Sequence, residues 1–227
     1  MEFKVATTAA EREAAFRLVH RRYVRSQLDE ENPYSMRVTP YHLLDTTTVF
    51  VAKLRGDVVA TLSLVEDGEL GLPMEAMYRR QVDERRQMGV RVGEVICLAD
   101  RREDIRRFVD VFRSLTRLLA QYARRHGVDE LLAAVHPRHA PFYQKVVGFQ
   151  TLAGLAKCPH VKDNPSVGLF LSFPQCDALR PQWYNDIFGQ PLDERELQCP
   201  LMSSEERLFL EQVCYGSPQV VNGLAAC

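Results

Sequence analysis

The chain reads as a mixed α/β protein: one mixed sheet with helices on both faces. Three observations predict it. Two apolar runs, Thr48 to Leu54 and Val58 to Val65, flank Arg55-Gly56-Asp57 as a hairpin; Val92 to Val135 reads strand, long helix, strand; and Ser166 to Phe173 alternates apolar and polar residues. A hairpin joins antiparallel strands and a helical crossover joins parallel ones, so a sheet holding both is mixed.

The elements follow in order. Phe3 to Thr7 predicts a short strand, and Thr8 with Glu11 forms a T-x-x-E helix start before Ala15, Phe16, Leu18, Val19 and Tyr23. The outer face of that helix is basic, with Arg17, Arg21, Arg22 and Arg25. Periodicity fails from Ser26 to Thr48, a loop long enough to act as a lid. After the hairpin, a helix is expected from about Pro73 to Gly89. The clearest helix carries Ile105, Phe108, Val109, Phe112, Leu115, Leu118, Leu119 and Tyr122 at spacings of three and four. Leu131 to Val135 has the continuous apolarity of a strand buried on both faces. A short helix over 136–149 and strands near Thr151 to Ala156 and Ser166 to Phe173 complete the domain, placed at residues 1–175. Residues 176–227, with Pro181, Pro191 and Pro200, predict a C-terminal extension with helices at Gln182 to Phe188 and Ser204 to Cys214.

Composition narrows the function. With 227 residues and a formal net charge of −1, the molecule carries no overall signature of nucleic-acid binding. Charge is nevertheless uneven: 13 arginines face 7 acidic residues between Met77 and Arg125, and 8 acidic face 3 basic between Phe173 and Cys227. An arginine-rich face can attract an acidic partner or stay solvated. The six cysteines form no C-x-x-C pair, which fits free thiols and a cytoplasmic protein. No run approaches the ~18 apolar residues of a membrane span, and H-x-x-H at His136 and His139 lacks a third metal ligand nearby.

The chemical signal is concentrated at VGEVICLADRR, residues 92–102. Gly93 predicts a bulge or a close backbone approach, and Glu94 is a carboxylate inside a half-buried apolar run, costly unless it faces solvent or serves proton chemistry.

The hairpin, the helix, the crossover and the short helix ending in FYQKVVGF resemble the GCN5-related N-acetyltransferase (GNAT) fold, in which the fourth and fifth strands splay apart to admit pantetheine. Five phrases, RRYVRSQ (21–27), LLDTTTVFVAKLRGDVVATLSL (43–64), GLPMEAMYRRQVDERRQMG (71–89), GEVICLA (93–99) and HPRHAPFYQKVVGF (136–149), are similar to the FeeM-type N-acyl amino acid synthases. Those are relatives of acyl-homoserine lactone synthases. The resemblance implies transfer of a long acyl chain from acyl carrier protein to the amino group of an amino acid or small amine, with no tightly bound cofactor. One departure bears on the donor. Coenzyme A-dependent acetyltransferases cradle pyrophosphate in a glycine-rich loop before the long helix, whereas this chain has Asp100-Arg101-Arg102-Glu103-Asp104. The carboxylates would repel pyrophosphate, while Arg101 and Arg102 could pair with the single phosphate of phosphopantetheine. Arg79, Arg80, Arg85, Arg86, Arg106 and Arg107 offer the acidic carrier a surface.

The resemblance also implies residue roles. Glu94 is the candidate base, and the backbone at Cys97, Leu98 and Ala99 contacts the oxyanion and pantetheine. Tyr143 is either the acid beside the leaving sulfur or a ring that anchors its helix. Arg22, Tyr23 and Asp45 cover the acceptor side, and His136 either binds substrate or shapes its turn. The alternatives are a coenzyme A-dependent acetyltransferase of a small amine and a GNAT-like binding module without catalysis.

Overall fold

The computed structural model describes residues 1–101 and 105–216. Seven strands form one sheet: β1 (Glu2–Val5), β2 (Thr47–Leu54), β3 (Asp57–Glu66), β4 (Val92–Asp100), β5 (Glu130–Val135), β6 (Gln150–Cys158) and β7 (Asn164–Ser172), in the order β1-β2-β3-β4-β5-β7-β6. Every neighbouring pair is antiparallel except β4 and β5. The hairpin turns where predicted, with Arg55 at φ +54 and Gly56 at φ +90, the left-handed pair that matches strand twist.

Helices α1 (Ala9–Arg25), α2 (Glu75–Gln87), α3 (Ile105–Arg125), α4 (Ala140–Val147), α5 (Phe173–Leu179), α6 (Tyr184–Phe188) and α7 (Ser204–Tyr215) cover both faces. The period of two along β2 divides them. Phe50 and Ala52 join Phe112, Leu115 and Leu119 of α3 in the larger core, whereas Val49 and Val51 pack with Ala15 and Phe16 of α1. Val65, Val92 and Leu132 pack with Tyr78 and Val82 of α2 on that second face. The segment after β7 belongs to both cores: Phe173, Cys176, Ile187 and Leu197 enter the first and Leu210 the second.

Two expectations need correction. Phe173, read as the end of a strand, begins α5, because Pro174 falls in the helix's first turn, where a missing N–H costs nothing. The helix start at Thr8 is half as predicted. Thr8 Oγ1 accepts from Glu11 N–H (3.3 Å), but the Glu11 carboxylate reaches past the cap to Thr7 N–H (3.0 Å), Lys4 and Lys53.

Candidate active site

The site begins where β4 and β5 part. Their parallel ladder covers only Val92, Gly93 and Glu94, opposite Glu130, Leu131 and Leu132. Beyond it β5 stays with β7 as far as Val135, and β4 stays with β3 as far as Asp100, so a cleft opens between them. β4 gains one residue there. Ser63 pairs with Ile96 but Thr61 with Ala99, leaving Cys97 and Leu98 opposite Leu62, with Cys97 at φ +55. A side chain in the left-handed region costs about 1–2 kcal/mol, and such bulges redirect backbone groups beside functional sites. The bulge is thus at Cys97 and not at Gly93. Gly93 is the close approach: an added Cβ would lie 3.0 Å from Leu64 Cδ1 and 3.4 Å from the Val65 carbonyl.

Glu94 is the last residue of the ladder and only 2% exposed. Met74 N–H donates to its Oε2 at 2.7 Å, and among the described residues it has no ion pair. Burial pushes its carboxyl up to about 8, the Met74 bond pulls it partly back, and the Glu75 charge adds to the rise. Among the described residues a backbone N–H, and no arginine, holds the Glu94 carboxylate, and its burial excludes a solvent-facing place. Met74 is placed by α2, whose kink at Tyr78 lets the phenol donate toward the carbonyls of Gly154 and Ser166, each 2.9 Å away.

Three loops, one of which supplies Met74 to Glu94, are linked through residues that the sequence pattern does not mark. Arg37 sends Nη1 to Asp29 (2.7 Å) and Nη2 to the His160 carbonyl (2.6 Å), and lies 4.8 Å from the centre of the Tyr23 ring. His160 in turn places Nε2 3.0 Å from the Pro73 carbonyl, one residue before Met74. Segments 26–46, 67–74 and 159–163 are thereby tied together. Nothing in the local pattern marks Arg37 or His160, which are 123 residues apart.

The expected residues distribute unevenly. Tyr23 packs on Cys97 and Ala99, and its phenol is raised by burial, with Cys97 and Tyr143 adding to the rise. Tyr143 is raised by burial alone, and its ring meets Phe112 (5.3 Å, edge-on), Phe142 and Phe149. Tyr23 thus lies with Cys97 beside the parting of β4 and β5, whereas Tyr143 and Leu98 pack against the α3 core. Asp45 does not join them: exposed, it pairs with Arg207 of α7 (2.5 Å), which also binds the Leu43 carbonyl. His136 Nδ1 accepts from Arg138 N–H (3.2 Å) and caps the turn Pro137–His139. Arg22 is half-buried on α1. Arg101 reaches Asp57 of the hairpin (3.6 Å), while Arg102, Glu103 and Asp104 lie outside the described residues.

The arginines of α2 are paired with acidic residues, Arg85 and Arg86 partly buried and Arg79 and Arg80 on the exposed surface. Arg86 binds Asp67, Asp83 and Glu75; Arg85 binds Glu130 (2.8 Å) and stacks on Phe170; Arg80 pairs with Glu84 and Arg79 with Glu75. Among the described residues no group of three His, Cys, Asp or Glu could hold a metal, and no helix is long and apolar enough to cross a membrane.

A buried carboxyl where two parallel strands part, with a strained bulge beside it, suits acyl transfer by direct displacement. Comparison with known proteins agrees. The chain is similar to the solved structure of FeeM, an N-acyl amino acid synthase from uncultured soil microbes: TM-score 0.67, 22% identity, 78% of this chain and 92% of that one. It also shares its fold with BjaI, a CoA-dependent acyl-homoserine lactone synthase solved with SAM and isopentyl-CoA: TM-score 0.55, 16% identity, 94% and 100% coverage. An acyl-CoA N-acyltransferase from Pseudomonas aeruginosa gives TM-score 0.53, 14% identity, 76% and 100% coverage. A search of curated protein sequences found no match. Residues 14–172 match the family model described as N-acyl amino acid synthase FeeM, and with most of the chain inside that match, this acyltransferase belongs to the FeeM N-acyl amino acid synthase family.

Proposed function

We propose that the protein transfers an acyl chain from the phosphopantetheine thioester of an acyl carrier protein to the amino group of an amino acid or closely related amine. The observation that carries this reading is Glu94: a buried carboxyl pushed up to about 8 at the residue where β4 leaves β5. A base works best when its pKa lies near the working pH. The amine nitrogen attacks the thioester carbonyl carbon, and its proton passes to Glu94, directly or through one water. Backbone N–H groups at the Cys97–Leu98 bulge stabilise the oxyanion. The carbon–sulfur bond then breaks, and the thiolate takes a proton from Tyr143, whose burial keeps the phenol protonated at neutral pH. Cys97 needs no covalent role, and burial raises its thiol away from the reactive thiolate.

The carrier-protein donor is supported by the absence of glycine from residues 100–104. The docking charge is carried by exposed basic residues: Arg79 and Arg80 on α2, Arg113 midway along α3, Arg138 just before α4 and Lys145 in its last turn. Mass spectrometry of lipid extracts from cells overexpressing the protein is expected to show a new N-acyl amino acid or amine. Extracts indistinguishable from those of a Glu94→Gln control would refute the reading. Tyr143→Phe keeps the ring against Phe112 and Phe149 and removes only the hydroxyl. If the phenol is the acid, kcat falls by about 10²-fold with KM unchanged; unchanged kcat would leave Tyr143 a packing residue.

A further inference from the structure

The family match ends at residue 172, so it assigns nothing to the helices that follow. One of them, α6, is fixed on the rear half of α3. Its Ile187 is 1% exposed, Gln121 of α3 donates Nε2–H to the Ile187 carbonyl (2.6 Å), and the Arg124 guanidinium lies 4.1 Å from the centre of the Phe188 ring. The Tyr184 hydroxyl donates to Asp177 of α5 at 2.6 Å. Trp183, the chain's single tryptophan and the residue that opens α6, therefore stands on a firm base.

Its indole meets α4 at Gly148. A Cβ added there would lie 2.5 Å from Trp183 Cζ2 and 2.8 Å from both Cε2 and Nε1, so only glycine lets the ring come this close. Gly148, at φ +75, ends α4 in the left-handed conformation that glycine adopts without strain. The cap closes on Tyr143: the N–H groups of Gly148 and Phe149 both donate to the Tyr143 carbonyl, and the Phe149 ring meets the Tyr143 ring edge-on at 5.8 Å. Tyr143 in turn acts on the Tyr23 phenol, and Tyr23 packs with the bulge residue Cys97.

We propose that Trp183 is a positioning residue for acyl transfer: seated on Gly148, it holds the last turn of α4 against α3 and so sets where the Tyr143 hydroxyl stands beside the departing sulfur. This rests on the reading of Tyr143 as the acid and gives the C-terminal extension a part in the chemistry. The indole is a flat, stiff ring and glycine puts no side chain between it and the backbone, so little slack remains between α6 and α4.

The test measures kcat and KM for transfer from an acyl-carrier-protein thioester to an amino acid by the wild type, Trp183→Ala, Trp183→Phe, Tyr143→Phe and the variant that combines Trp183→Ala with Tyr143→Phe. Trp183→Ala lowers kcat about 10- to 100-fold, as displacing a catalytic group by about 1 Å does, and leaves acceptor KM within about twofold. Trp183→Phe, which keeps a ring over Gly148, recovers most of the loss. In the Tyr143→Phe background the same Trp183→Ala change costs less than about twofold, because residues that act as a unit lose their effect together. An equal loss in both backgrounds marks a general loosening of the fold and overturns the proposal, as does an unchanged kcat in Trp183→Ala. If Trp183→Ala does not fold, Trp183→Leu, which fills much of the volume without the ring, decides by the same comparison. A Tyr143→Phe variant with wild-type kcat rejects the acid and the positioning role with it, whereas an impaired Tyr143→Phe beside an unimpaired Trp183→Ala rejects the positioning role alone. A wild type that transfers to no amino acid rejects the acyl-transfer reading itself, and the positioning role falls with it.

Discussion

Replacing Glu94 by glutamine should lower kcat/KM for acyl transfer by about 10²- to 10⁴-fold, the usual contribution of a positioned base, and should at the same time stabilise the protein. Glutamine matches the shape of the side chain and its carbonyl can still accept from Met74 N–H, yet it cannot take a proton. The stability gain follows from linkage. The folded carboxyl sits at about 8, above its ordinary 4.5, so the fold favours the protonated form. That preference is fully present below 4.5 and is lost as pH rises through about 8. The advantage of the glutamine variant therefore grows across that window. At neutral pH the variant should gain on the order of 1–3 kcal/mol, or several degrees in Tm. Loss of activity accompanied by a higher Tm is the signature of a group kept for chemistry at a cost to the fold.

Glu206→Ala should destabilise the protein by about 3–5 kcal/mol, the cost of stranding one partner of a buried ion pair. Glu206 lies on α7 and binds Arg12 of α1 through both oxygens, each at 2.6 Å, while Arg12 Nη1 donates to the Ala6 carbonyl (2.9 Å). Neither residue is more than 8% exposed. Removing the carboxylate leaves a guanidinium in the core, whereas Arg12→Met with Glu206→Leu removes both charges and should recover most of the loss. Urea denaturation of the single and double variants measures this. The same helix carries Arg207, which grips Leu43 and Asp45, so α7 also anchors the far end of the loop that supplies Arg37.

Patterns that depend on near neighbours were legible in the sequence. The amphipathic α3 and the alternation of β7 rest on periods of 3.6 and 2, and the hairpin on two apolar runs about a glycine turn; each forms within a residue or two of where the pattern places it. Glu94 was legible for a chemical reason, being a carboxylate set in an apolar strand. What the sequence hid depends on distant partners. Arg37 lies in an aperiodic loop and gains meaning only beside Asp29, His160 and Cys97, and Asp45 resembled a substrate ligand until α7 folded back to meet it. Composition gave the arginine excess but does not record pairing. Arg80 with Glu84 and Arg79 with Glu75 could have been read from their spacing of four, but Arg85 with Glu130 could not.

The central claim is that Glu94, poised at the parting of β4 and β5, is the base for acyl transfer. The pH dependence of kcat/KM tests it most directly, measured on purified wild type and Glu94→Gln with an acyl-carrier-protein thioester and an amino acid acceptor. The wild type should gain activity as pH rises and level off through a break at about 8, where the carboxyl loses its proton, and the variant should lack that break while retaining any later limb from the amine itself. Identical profiles in the two proteins, with rates within a few-fold of each other, would contradict the account.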